Sequence, residues 1–94
     1  MTRDRAETIA LMALAHLAAD ENLLGRFMAE TGTDATELKG MAGQPEMLGG
    51  ILDFLLGDEA LVIDFAAAAG LRPEEPMRAR IALPGFAAGD RGAL

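Results

Sequence analysis

The chain contains no cysteine, no tryptophan and no tyrosine, and it has a single histidine. Disulfide frameworks, thiol nucleophiles and Cys/His zinc sites are therefore excluded. β-Branched residues are scarce, at five Thr, four Ile and one Val, so little in the chain favours strand. Lysine occurs once against seven arginines, and this bias, like the abundance of alanine and glycine, reads as codon usage more than chemistry. Long apolar runs are missing too. Ile9 to Ala19 has eleven residues, apolar except for His16, where a bilayer span needs about 20. The flank of this run, with Arg3, Asp4, Arg5 and Glu7, is mixed in sign where a secretory leader would be basic. These absences lead to the expectation of a cytoplasmic chain with no membrane association and no cofactor.

What is present is apolar and helix-forming. Of 94 residues, 48 are apolar, including 19 Ala and 14 Leu. Setting alanine aside leaves 29 larger side chains, each stabilising by roughly 1.5–3 kcal/mol when buried. That supports one small core and spares few side chains for a deep cavity. The length predicts one domain over residues 1–85, with 86–94 as a flexible tail whose only anchor is Phe86. Alanine and leucine both favour helix, so the fold class is all-α, a compact bundle of five or six short helices.

Capping residues place the helix ends. The first helix runs over 3–19. Asp20 caps a second with the stripe Leu23, Leu24, Phe27, Met28, closed by Gly32. Asp34 and Glu37 have the spacing of a capping box for a short third helix, with Leu38, Met41 and Ala42 inward and Gly43 as its stop. Pro45 suits the first position of a fourth, whose stripe is Met47, Leu48, Ile51, Leu52, Phe54, Leu55. Asp58 caps a fifth, with Leu61, Val62, Phe65, Ala66 and Ala69 inward and Gly70 closing it. The sixth is expected to begin near Pro76 and to end near Leu83, because the residue before proline, Glu75, is pushed away from helical geometry.

Two segments align without gaps at a shift of 38 residues: LAHLAADENLLGRFMAETG (Leu14 to Gly32) and LDFLLGDEALVIDFAAAAG (Leu52 to Gly70). Eight of nineteen positions are identical, among them Asp20/Asp58, Glu21/Glu59, Phe27/Phe65 and Gly32/Gly70. Such self-similarity predicts a helical hairpin used twice. The shared positions carry the residues that capping, a buried stripe and a helix exit require.

Charge is unevenly placed. The net −7 is concentrated in residues 20–64, which hold ten acids and two bases. An acidic middle disfavours a nucleic-acid partner and suits a basic protein surface. His16 aligns with Phe54, a core-type position, so it reads as a packed or interface histidine and not as a general base. Asp20, Glu21, Asp58 and Glu59 form two acidic pairs that could serve a metal or acid–base chemistry, but capping accounts for all four. Asp53, Glu46 and Asp64 read as solvated-face charges. Gly49-Gly50 inside a helix suggests close approach of another backbone, or a kink. A helix-turn-helix alternative would use Arg72, Arg78 and Arg80, although Pro76 interrupts the would-be recognition helix. The first helix is apolar around nearly its whole circumference. It must therefore either thread the centre of the others or pack against a second copy, giving a homodimer through residues 3–19.

The two aligned segments, and most specifically Asp53-Phe54-Leu55-Leu56-Gly57-Asp58-Glu59, resemble the small bacterial proteins of domain-of-unknown-function family 3572, over most of residues 6–84. The resemblance implies a compact helical protein with no assigned activity, and no catalytic, cofactor or metal residue is carried over. The functional expectation is a non-enzymatic protein–protein interaction or regulatory module. A small enzyme or metal-binding protein using the clustered carboxylates is the remaining alternative.

Overall fold

Side chains that bond the first free backbone N–H groups decide where the helices begin. In the computed structural model, which describes residues 1–85, Thr2 Oγ1 accepts from Arg5 N at 3.1 Å to start α1 (Arg3–Ala18). Asp20 accepts from Asn22 N and Leu23 N at 2.9 and 3.2 Å to start α2 (Glu21–Thr31). A reciprocal capping box between Asp34 and Glu37 opens α3 (Ala35–Met41). Pro45 is the first residue of α4 (Pro45–Leu56), where its missing N–H costs nothing. Asp58 accepts from Leu61 N at 3.2 Å ahead of α5 (Glu59–Ala69). Gly32 and Gly70 end α2 and α5 with φ of 73° and 71°, a left-handed turn that glycine adopts without a Cβ penalty.

α6 (Glu75–Ala82) departs from expectation by one residue at its start. Glu75 is its first helical residue, although proline follows. Arg72 N donates to the Glu75 carboxylate at 2.8 Å, and Glu75 N donates to the Arg72 carbonyl at 3.0 Å. This local pair draws Glu75 into the helix, and Pro76 then falls in the first turn, where it breaks no hydrogen bond. The tail expected over 86–94, with Phe86 as anchor, lies outside the described residues.

Among the described residues every regular element is a helix, and α1 lies between the others, packing on α6, α4, α2 and α5. Its buried face is Ala6, Ile9, Ala10, Ala13 and Leu17, mostly small, so its neighbours approach closely. They bring Phe27, Leu48, Ile51, Leu52, Leu55, Leu61, Phe65, Ala79 and Leu83 into one core. The expectation that α1 is buried all round fails on one side. Leu11, Ala15 and Ala18 face outward, because three and four residues apart they share the side that no neighbour covers. Ala42, expected inward, is also exposed. No helix among the described residues is long and apolar enough to cross a membrane.

Candidate functional site

The uncovered side of α1 meets α5 at His16. The imidazole stands edge-on to the Phe65 ring, with centroids 5.5 Å apart at 63°. Phe65 is buried beneath it and His16 is half-buried, so the histidine is a packed residue that still reaches the surface. Met12, Ala15, Ala68 and Ala69 complete an open apolar groove of about 320 Å³ around this ring pair. Three of its six lining residues are alanines, and their short side chains leave the depression.

His16 also borders a second cleft of about 340 Å³ with a mixed lining, in which Asp20, Arg26, Asp58 and Asp64 stand among Leu23, Ala60 and Leu61. Asp20 and Asp58 therefore do two things. Each caps its own helix, as the spacing predicts, and both also face one shared cleft. Capping occupies Oδ1 of each, and Oδ2 of Asp58 lies 3.6 Å from Nη2 of Arg26. The Arg26 guanidinium also sits 5.5 Å from the centroid of Phe54, which meets Phe27 edge-on at 5.3 Å. Asp64 is solvent-exposed as expected, and lines the cleft as well. Glu21 and Glu59 are exposed in the first turns of α2 and α5. No group of three or more His, Asp or Glu among the described residues is arranged to hold a metal.

These contacts interchange under the 38-residue shift. His16 corresponds to Phe54 and Phe65 to Phe27, so the His16–Phe65 pair maps onto the Phe54–Phe27 pair. On the Phe54 side Arg26 covers the ring and reaches Asp58. Its counterpart beside His16 is Asp64, and the counterpart of Asp58 is Asp20. The Phe54 ring is thus covered by the chain's own cation, whereas the places beside His16 that correspond to Arg26 and Asp58, in the one cleft those two also line, hold two carboxylates, Asp64 and Asp20.

The candidate DNA-binding arginines do not act together. Arg80 is buried, with its side chain 7% exposed, and pairs with Asp53 through both ends of the carboxylate, at 2.6 Å from Nε and 3.3 Å from Nη2. Its Nη1 donates to the Pro84 carbonyl at 3.2 Å. The guanidinium lies on Gly49, where an added Cβ would come within 2.8 Å of it. This corrects two expectations. Arg80 is a structural residue and is not presented to phosphates, and the close approach at Gly49 comes from a side chain and not from a backbone. Asp53 is exposed, as expected, and is in addition the ion-pair partner of Arg80. Arg72 is exposed and lies 3.5 Å from Glu74, and Arg78 is exposed.

The groove residues Met12, Ala15, Ala68 and Ala69 went unrecognised in the sequence because an alanine run carries no chemical signature. The one available signal was the surplus apolar surface of the first helix. A family model described as "Protein of unknown function (DUF3572)" matches residues 3–86. No curated protein and no solved structure matches the chain.

Proposed function

The chain belongs to the DUF3572 family, and we propose that it is a non-enzymatic protein-interaction module of the cytoplasm that receives its partner in the α1–α5 groove. The observation that carries this reading is the open apolar depression of Met12, Ala15, His16, Phe65, Ala68 and Ala69. Its lining is mostly alanine and methionine around the His16–Phe65 ring pair. Such a surface offers burial of an incoming side chain. A photo-crosslinking amino acid placed at Ala68 in the cell-expressed protein tests it. The expected result is a discrete protein adduct from position 68 and none from Glu46, which is exposed on α4. Absence of an adduct at position 68, or equal labelling at both positions, overturns the reading.

A further inference from the structure

We infer that the occupant of this groove is a basic amphipathic segment of a partner protein. One apolar side chain of that segment lies between α1 and α5, and a neighbouring arginine or lysine enters the carboxylate-bearing cleft beyond His16. The inference rests on the groove being an interaction face and adds the chemistry of what it takes.

Two observations favour a cation. The groove is bordered, across His16, by Asp20, Asp58 and Asp64 with only Arg26 among them, within the stretch that holds ten acids and two bases. Charge of one sign beside an apolar depression selects a partner segment with the opposite sign next to its anchor. The internal correspondence is more specific. Arg26 sits over Phe54 and reaches Asp58, within the chain itself. At the matching place Asp64 stands near His16 and Asp20 in a common cleft. A guanidinium or ammonium from outside would there meet the Asp20 and Asp64 carboxylates, in the same cleft in which Arg26 already meets Asp58. Asp20 and Asp58 are held in place by their capping bonds, so the acidic border is ordered before a partner arrives.

The test is an amide-resolved NMR titration of the whole chain with a short amphipathic helical peptide of leucine and lysine. A peptide of the same pattern with glutamate for lysine serves as the control. Shifts at Ala15, Ala68, Asp58 and Asp64 with the lysine peptide, weakening with salt and absent with the glutamate peptide, support the inference. Asp64→Asn should weaken binding about twofold to fivefold, the range of one exposed ion pair. Asp64→Arg, which copies Arg26 into the matching position, should weaken it about tenfold or more through like-charge repulsion. Asp64 is exposed, so both variants should keep the fold, and unchanged circular dichroism checks this. Equal binding of both peptides overturns the cationic assignment while leaving an apolar docking face. Crosslinking at position 68 without response to the lysine peptide also overturns it. Sedimentation showing a dimer that buries position 68 would make a second copy the occupant and overturn it as well.

Discussion

Gly49 and Gly50 are neighbours on one helix with opposite environments. A Cβ at Gly50 meets nothing within 4 Å. A Cβ at Gly49 meets the Arg80 guanidinium, which the Asp53 carboxylate and the Pro84 carbonyl hold in place. Alanine at either position should gain up to about 1 kcal/mol of helix propensity. Gly50→Ala should keep that gain. Gly49→Ala must displace a buried, charge-assisted contact worth more than the gain, discounted because Asp53 is more than half exposed. The expected net loss is about 1–2 kcal/mol. Urea denaturation of the two variants checks the contrast, and a stabilised Gly49→Ala would show that the guanidinium is not held there. The sequence places Asp53 and Gly49 on one face of their helix, but it does not say that an arginine 27 positions later closes over them. A contact between distant positions leaves no mark in local periodicity, which is why Arg80 looks, from sequence, like one of a set of surface bases.

The helices themselves are legible because capping is local. Asp20, Asp34 and Asp58 each bond an N–H two or three residues ahead, so the bond depends on spacing that the sequence displays. The one-residue shift at α6 has a local cause too, but it needs the side chain of Glu75 to fold back on Arg72 N, which competes with the preference imposed by Pro76. Caps also allow charge and structure to be separated at the candidate site. Asp20→Ala removes both the cap and a cleft carboxylate, and should cost about 1 kcal/mol of stability. Asp20→Asn keeps the cap acceptor and should stay within a few tenths of wild type. Thermal denaturation distinguishes the two. Equal destabilisation by both would mean that the carboxylate charge, and not the hydrogen bond, holds the start of α2.

At the scale of the whole molecule, the central place of α1 divides its side chains sharply. Leu17 is fully buried where α1 passes its neighbours, and Leu11 is 39% exposed. Leu17→Ala should cost about 2–5 kcal/mol through lost burial and a residual cavity, whereas Leu11→Ala should be close to neutral. From sequence both leucines belong to one nearly continuous apolar surface. Only the packing of α6, α4, α2 and α5 decides which of its sides is covered, and the uncovered side is where the groove forms. The charge layout completes the picture. With Arg80 withdrawn into the interior, the exposed cations left on and around α6 among the described residues are Arg72, beside Glu74, and Arg78. Duplex binding needs several phosphate contacts, each releasing counterions, and a chain of net charge −7 repels the polyanion over its remaining surface. The protein should therefore pass through a column of immobilised duplex DNA without retention even at low salt. Retention that falls steeply as salt rises, and that Arg78→Glu abolishes, would establish a nucleic-acid face on α6 and displace the groove as the working surface of the molecule.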